Sequence, residues 1–170
     1  MRVDWKPGTM IYPLPAVMVS CGNDESEYNI ITVAWTGTIC TNPPMCYISV
    51  RPERHSHSII KKNMEFVINL TTADMAFPTD WCGVRSGRDY HKFEEMGLTP
   101  GKSTVVGEPL IEESPLIADV VNVRADERHL NAETGKLELA EANPLVYVHG
   151  GYYELGNKIG KFGWSVEKKR

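Results

Sequence analysis

Short apolar runs separated by turn-forming residues constrain the fold of this chain more than any other feature of its sequence. The runs are rich in β-branched residues, and glycine, proline or asparagine interrupts the chain between them. They cover residues 16–21, 29–36, 45–50, 65–70, 116–123, 145–149 and 152–155. Three short stretches favour helices instead, at residues 56–63, 72–77 and 89–97.

The helical stretches are too few and too short for a doubly wound parallel sheet. Such a sheet would need a helix of about 10–15 residues after nearly every strand. The sequence therefore predicts a mainly β fold, an antiparallel barrel with short appended helices. A length of 170 residues fits a single domain that spans residues 1–170.

The charge and the apolar pattern exclude several classes of function. The formal net charge of −4 argues against a protein that binds nucleic acid by neutralising phosphates. No run approaches the roughly 18 apolar residues of a membrane span, and the first residues contain no apolar signal segment. We therefore expect a cytoplasmic protein that binds neither nucleic acid nor a membrane.

The cysteines and histidines do not have the spacing of a metal site. The four cysteines form no C-x-x-C pair, and the five histidines form no H-x₃₋₅-H pair. We expect no bound metal and four reduced thiols that are mostly buried, at Cys21, Cys40, Cys46 and Cys82.

The densest group of polar residues lies at 49–57, between a predicted strand and a predicted helix. It contains two arginines and two serines just before the open N–H groups of a helix start. That combination suits a phosphate, because a helix N-terminus offers donors and arginine adds charge-assisted hydrogen bonds. An ordinary exposed loop, in which Arg51 and Arg54 pair with Glu53, explains the same residues equally well.

Three further segments are weaker candidates for a site. Residues 32–44 combine hydroxyls with Trp35 and suit a flat heterocycle, but the residues alone favour a half-buried strand. Residues 81–89 form a glycine- and arginine-containing loop that either closes over an anion or merely connects two elements. The tail at 156–164 is either a lid or dimer arm, or a frayed terminus.

Several common sites are missing from the sequence. No G-x-G-x-x-G follows a strand, so a Rossmann dinucleotide site is not expected. There is also no P-loop and no G-x-S-x-G nucleophile motif.

Taken together, these segments resemble the flavin reductase-like, FMN-binding split-barrel family, and most closely its flavoredoxin branch. The resemblance covers nearly the whole chain, and its most specific parts are residues 29–44 and 49–54. The other matching stretches are residues 5–9, 12–17, 66–70, 82–84, 86–89 and 160–163.

The resemblance implies a homodimer of split β-barrels with FMN near the dimer interface. It also implies that the loop at 83–92 lies near the flavin. For the flavin ring it implies contacts with Thr32, Val33, Ala34, Trp35 and Thr36, and for the phosphate contacts with the segment from Arg51 to Ser56 and the helix start after it. The cofactor-binding residues predicted in and beside this second segment are Val50, Arg51, Arg54, His55, Ser56 and His57.

Enzymes of this family pass a hydride from NADH or NADPH to the flavin, or pass electrons from the reduced flavin to a partner protein. The resemblance thus implies an FMN-binding oxidoreductase with NAD(P)H as hydride donor and with a redox partner protein as acceptor. The hydride chemistry belongs to the cofactor, so no catalytic residue is assigned. Two alternatives remain, a non-enzymatic FMN-binding or electron-carrier module and a cysteine-dependent acyl-transfer enzyme that uses Cys40 or Cys82.

The sequence departs from the family pattern after Pro115. Relatives continue there with a further strand and a loop before the return strand, which Leu116 and the residues after it resemble. About twenty residues are therefore expected to be absent between Pro115 and Leu116, enough for a strand and its loop. We predict that the natural chain contains this segment and that Pro115 and Leu116 are not bonded neighbours in it.

Overall fold

The computed structural model of the chain describes residues 2, 7–9, 11–119 and 122–158. Outside these described residues lie positions 5, 6 and 160–163 of the stretches that resemble the family. Most of the candidate lid or dimer arm at 156–164 also lies outside them. The strands are β1 Leu14–Pro15, β2 Val17–Cys21, β3 Asn29–Val33, β4 Thr36–Thr41, β5 Pro44–Ile48, β6 Val67–Leu70, β7 Pro100–Lys102, β8 Pro109–Ile111, β9 Leu116–Asp119, β10 Asn122–Ala125, β11 Val146–Val148 and β12 Gly151–Tyr153. The α-helices are α1 His55–Asn63, α2 Ala76–Val84 and α3 Lys92–Met96.

A five-stranded antiparallel sheet in the order β10-β9-β6-β2-β3 forms the centre of the molecule. All five residues of β2 are buried, because both faces of the sheet are covered. Met18 packs on one face against residues of α2 and α3. Val17 and Val19 pack on the other face, where Ile60 of α1 contributes to the cluster.

Three smaller antiparallel sheets surround the central one. They are the hairpin β4–β5, the pair β7–β8 and the three-stranded sheet β1-β11-β12. The mainly β fold with antiparallel pairing and short helices is thus confirmed. The described residues form no closed barrel, since β3 and β10 each remain an edge of the central sheet.

The connection after Pro115 explains part of this open arrangement. Ser114 Oγ donates to the carbonyl oxygens of Leu70 (2.7 Å) and Leu116 (2.9 Å), so that β9 begins directly beside β6. The predicted single strand at 116–123 is instead the hairpin β9–β10, in which Asp119 pairs with Asn122. No strand beyond β10 extends the sheet within the described part of the chain. The absence of a segment from the natural chain stays a prediction, which an intact mass above 19.1 kDa for the natural protein would support.

The helices follow the sequence signals with one correction. Helix α1 and the glycine that ends α3 are confirmed, since Gly97 has the left-handed φ of 61°. The second helix was expected to stop before Pro78, but α2 contains Pro78 in its first turn. A proline is tolerated there because the first N–H groups of a helix need no partner within it. None of the helices in the described ranges is long and apolar enough to cross a membrane.

Candidate functional site

Two adjoining cavities lie between the central sheet, the start of α1 and helix α2. The first has a volume of about 690 Å³ and the second of about 180 Å³. The first is within the usual size range of small-molecule sites. The cavities adjoin each other, because the same four residues line both: Ile31, Arg54, Gly83 and Val84.

The end of β3 and the residues after it form one wall of the first cavity. This wall contains Thr32, Val33, Ala34 and Trp35, and the Trp35 side chain is 46% exposed. The Thr32 hydroxyl donates to the carbonyl oxygen of Thr79, which ties β3 to α2. A Cβ atom on Gly83 of α2 would lie 3.1 Å from Thr32 Cβ, so helix and strand approach closely where the cavity begins.

Aromatic residues of the small C-terminal sheet form the far wall. Tyr147 of β11 and Tyr152 of β12 line the cavity, and their rings meet edge to face at 5.6 Å between centroids. Asp80 of α2 lies in the same lining, and the Tyr152 hydroxyl is hydrogen-bonded to its carboxylate. Burial, assisted by the charge of Asp80, raises the pKa of Tyr152 to about 12.

The second cavity is polar and contains a buried ammonium group. Lys92 is only 3% exposed, and its Nζ donates to the carbonyl oxygens of Ile30 and Cys82, both at 2.7 Å. Burial lowers the pKa of Lys92 to about 8, so the group is still mostly charged at neutral pH. An ammonium has three donors and these two bonds use only two of them, which leaves one for an anion.

A second polar pair faces the same cavity. Asn29 is 3% exposed, and its Nδ2 donates to the hydroxyl of Ser56 at 2.7 Å, in the first turn of α1. Its Oδ1 has no hydrogen-bond partner among the described residues. A buried polar atom without a partner is costly and points to a ligand that supplies one.

The start of helix α1 completes the second cavity. Arg54 precedes the helix in an extended conformation and makes no side-chain cap, so the first N–H groups of α1 are available. Burial lowers the pKa of His55, and the charges of Arg88 and Lys92 act in the same direction. This concentration of positive charge favours an anion.

The structure brings most of the predicted site residues to these two cavities. Arg54 lines both. Thr36 and His57 line neither; the Thr36 hydroxyl instead donates to the carbonyl oxygen of Tyr47 at 2.6 Å. The others line the first cavity (Thr32, Val33, Ala34, Trp35, Val50 and Arg51) or the second (His55 and Ser56).

Arg51 occupies a different place from the one that its sequence context suggests. It lines only the first cavity, and its guanidinium forms an exposed ion pair of 3.5 Å with Glu53. The ion pair expected of an exposed loop is thus present at Arg51, whereas Arg54 and Ser56 line the second cavity.

Sequence reasoning missed the aromatic wall and the roles of Asn29 and Lys92. Tyr147 and Tyr152 come from a distant part of the chain that carries no recognisable ligand motif. Lys92 was included only within a loop implied to lie near the flavin, because a lysine is seldom expected to be fully buried. The acidic residues around Lys92 in the sequence indicate an exposed helix and give no such signal.

The buried cysteines are unsuited to acyl transfer. All four are free, but only Cys21 and Cys82 are buried, so the expectation that most of them are buried is only half correct. Desolvation raises the pKa of Cys82 to about 11, which opposes the thiolate that acyl transfer needs. In the described part of the chain no group of three or more histidine, cysteine or acidic residues is arranged to hold a metal ion.

Comparison with known proteins agrees with these features. The family model described as "Flavin reductase like domain" matches residues 9–156. An uncharacterised protein of Pyrococcus abyssi is 30% identical over 105 residues, which cover 62% of this chain and 59% of that relative.

Solved structures have the same fold. The flavoredoxin of Desulfovibrio vulgaris (Miyazaki F) matches with a TM-score of 0.91 and 24% identity, over 98% of this chain and 100% of that one. A flavoredoxin from Methanosarcina acetivorans matches with a TM-score of 0.83 and 21% identity over 98% and 100%. An FMN-binding protein from Thermus thermophilus with bound 1-cyclohex-2-enone matches with a TM-score of 0.75 and 20% identity over 95% and 99%.

Proposed function

The chain belongs to the family of flavin reductase-like domains, and on that premise we propose that it binds FMN and moves hydride or electrons between NAD(P)H, the bound flavin and an acceptor. The observation that carries the proposal is the pairing of the two cavities. A small polar cavity with a buried ammonium adjoins a larger cavity with aromatic and aliphatic walls. FMN has the matching parts, a phosphate and a flat ring joined by a hydroxylated chain.

The residues of the second cavity fit the phosphate end of FMN. Lys92, Arg54 and the first N–H groups of α1 would hold the phosphate. The unpaired Oδ1 of Asn29 suits a hydroxyl donor of the ribityl chain. FAD fits less well, because a pyrophosphate and an adenosine would need room that a cavity of about 180 Å³ does not offer.

The residues of the first cavity fit the ring. The wall from Thr32 to Trp35 supplies strand backbone groups on one side, and Tyr147 and Tyr152 exclude water on the other. Bound FMN would supply the hydride chemistry, while the chain binds and orients it. No side chain needs to move a proton for a hydride transfer, so the proposal names no catalytic residue.

The proposal also includes a hydride donor and an electron acceptor. NADH or NADPH is the proposed hydride donor, and a redox partner protein is the proposed acceptor. One fold relative is named as the 2-nitrobenzoate 2-nitroreductase of Pseudomonas fluorescens and two others as flavoredoxins, so both enzymes and flavoredoxins have this fold. The cytoplasmic location and the absence of nucleic-acid and membrane partners stay predictions.

We also propose that a second copy of this chain covers the hairpin β4–β5. Four large apolar side chains on and beside this hairpin are about half exposed: Trp35 (46%), Ile39 (58%), Met45 (48%) and Tyr47 (46%). An exposed apolar surface of this kind is typical of an interface. Trp35 also lines the first cavity, so a symmetric partner on this hairpin would lie beside the ring site.

Sedimentation equilibrium tests the dimer. The wild type is expected to be a dimer, and Ile39→Lys is expected to raise the dimer dissociation constant about tenfold or more, because it places a charge in an apolar contact. Val105→Lys, on an exposed side chain of the segment between β7 and β8, is the matched control and is expected to leave association unchanged. A monomeric wild type with full flavin occupancy would contradict the dimer.

The absorption spectrum of the purified protein tests the main proposal. We expect a flavin spectrum, the release of FMN rather than FAD on heating, and bleaching by NADH or NADPH without oxygen. A protein that takes up neither FMN nor riboflavin would overturn the proposal. Stopped-flow mixing with NADH and NADPH separates the enzyme from the non-enzymatic alternative. If neither nucleotide reduces the bound FMN on a catalytic timescale, the protein is a flavin-binding or electron-carrier module.

A further inference from the structure

The hydrogen-bonded pair of Asp80 and Tyr152 lies in the first cavity, apart from the residues proposed to hold the phosphate. Asp80 extends from the middle of α2, and Tyr152 belongs to β12 of the small C-terminal sheet. Asp80 is the only carboxylate among the described residues that line this cavity. A lone carboxylate in a ligand site influences the charge that the ligand can carry there.

The order of residues along α2 indicates which part of the ligand Asp80 faces. Gly83 and Val84 line both cavities and so mark the passage from the phosphate end to the ring end. Asp80 is three and four residues earlier on the helix and lines only the first cavity. One helical turn advances about 5.4 Å along the axis, so Asp80 lies about one turn beyond the passage, on the side of the ring.

Tyr152 holds the carboxylate in this position. Its hydroxyl is hydrogen-bonded to Asp80, and its ring is fixed edge to face against Tyr147. Asp80 is otherwise exposed on its helix, so without Tyr152 its side chain would be free to turn into solvent.

We propose that Asp80, positioned by Tyr152, lowers the reduction potential of a flavin bound in the first cavity. Reduction adds two electrons to the ring, and a fixed negative charge beside the ring opposes that increase in electron density. Lys92 lines only the phosphate cavity, Arg54 lines both cavities, and Arg51 of the first cavity pairs with Glu53. Removal of the Asp80 charge therefore makes the surroundings of the ring more positive by one unit, while these cations stay in place.

This inference rests on the proposed binding of FMN, and its test compares Asp80→Asn with the wild type. Anaerobic titration against a reference dye gives the potential of the bound flavin. Asp80→Asn keeps the shape of the side chain and removes its charge. We expect it to increase the binding of reduced relative to oxidised FMN about tenfold, which raises the potential by about 30 mV for a two-electron couple.

Two further variants separate charge from structure. Tyr152→Phe is expected to shift the potential in the same direction by a smaller amount, since Asp80 loses its anchor but not its charge. Glu154→Gln removes an exposed carboxylate just after β12, outside the cavity lining, and is expected to leave the potential unchanged. Equal potentials in the wild type and in Asp80→Asn would overturn the inference while the proposed function stands.

Ultraviolet titration of the tyrosines in the flavin-free protein provides a readout that does not depend on flavin. The wild type is expected to have a tyrosine with a pKa of about 12 that Tyr152→Phe removes and that Asp80→Asn shifts downward. An unchanged titration in both variants would show that the pair is not formed. A wild type that binds no flavin would instead overturn the proposed function, and the inference with it.

Discussion

The two cavities offer a ligand different kinds of interaction, although four residues line both. The first is large, has strand backbone on one wall and tyrosines on the other, and contains one carboxylate. The second is small and contains a buried ammonium and a buried amide at the start of a helix. A flat ring held mainly by shape tolerates variation, whereas a phosphate held by buried charges depends on each donor.

This difference predicts that selectivity between FMN and riboflavin arises in the second cavity alone. The two ligands share the ring and the ribityl chain and differ only in the phosphate. The ratio of their dissociation constants therefore reports on the second cavity, and changes in the first cavity affect both ligands alike. The predictions below use this ratio.

Lys92→Met is expected to have the largest effect on the ratio. It removes the only described ammonium in the second cavity and substitutes an apolar side chain of similar length. A hydrogen bond to a charged group contributes about 1.5–3 kcal/mol, and more where water is excluded, so FMN affinity should fall about a hundredfold. Fluorescence titration with FMN and with riboflavin measures the change.

The control for this variant is the exposed Lys136→Met, which removes the same charge far from the cavities in sequence. Lys92 also donates to two backbone carbonyls, so Lys92→Met is expected to lower the stability of the fold and to reduce the affinity for riboflavin slightly. An equal loss of affinity for both ligands would show that Lys92 is structural and that the phosphate lies elsewhere.

Arg54→Ala should reduce FMN binding about tenfold relative to riboflavin, with Arg51→Ala as its matched comparison. Arg54 lines both cavities, whereas Arg51 lines only the first and pairs with Glu53 on the surface. Exposed ion pairs contribute little, so Arg51→Ala should change the ratio by less than about threefold. If Arg51→Ala changed the ratio more than Arg54→Ala, Arg51 rather than Arg54 would contact the phosphate.

The comparison of Arg51 and Arg54 also illustrates what the sequence could and could not predict. The order of strand, basic loop and helix start is local information, and it pointed to residues that line the second cavity. Which arginine faces that cavity depends on the direction of each side chain, which local sequence does not determine. The resemblance to a family, rather than composition, drew attention to residues 32–35, which line the first cavity and which composition alone favoured as an ordinary strand.

The strands were predictable for the same local reason. The arrangement of the sheets was not, because it depends on contacts between residues that are far apart in the chain. The strands β2, β3 and β6 lie within their predicted runs, because apolar and β-branched residues mark them directly. Whether the sheets close into a barrel depends on which edges meet across the molecule. The burial of Lys92 depends likewise on carbonyls of β3 and α2, which are 62 and 10 residues away in the chain.

Gly87→Ala should lower the affinity for FMN about fivefold, because it displaces the side chain of Asn29. A Cβ atom on Gly87 would overlap the amide oxygen of Asn29, so the side chain that bonds to Ser56 would have to move. Crowding of this kind costs about 1–3 kcal/mol, and the lower value corresponds to a fivefold loss. Gly156→Ala is the matched control, since no atom lies within 4 Å of its Cβ position. Unchanged binding in Gly87→Ala would mean that Asn29 does not contact the ligand.

Raising the pH from 7 to 8 should have the smallest effect, about a twofold loss of FMN affinity relative to riboflavin. Burial lowers the pKa of Lys92 to about 8, so half of the ligand-free protein has lost this charge at pH 8. A bound phosphate favours the ammonium form and raises its pKa, so binding takes up a proton and weakens as the pH rises. The phosphate keeps its charge over this range, since its second pKa is about 6.

His55, which also lines the second cavity, does not produce the same profile. Burial lowers its pKa, which moves its titration away from the range between pH 7 and 8. The loss should continue to about tenfold at pH 9 and should disappear in Lys92→Met, where no ammonium remains to titrate. A ratio that stays constant with pH in the wild type would show that the charge of Lys92 does not face the phosphate, and the difference between the two cavities would then rest on Arg54 and the helix start.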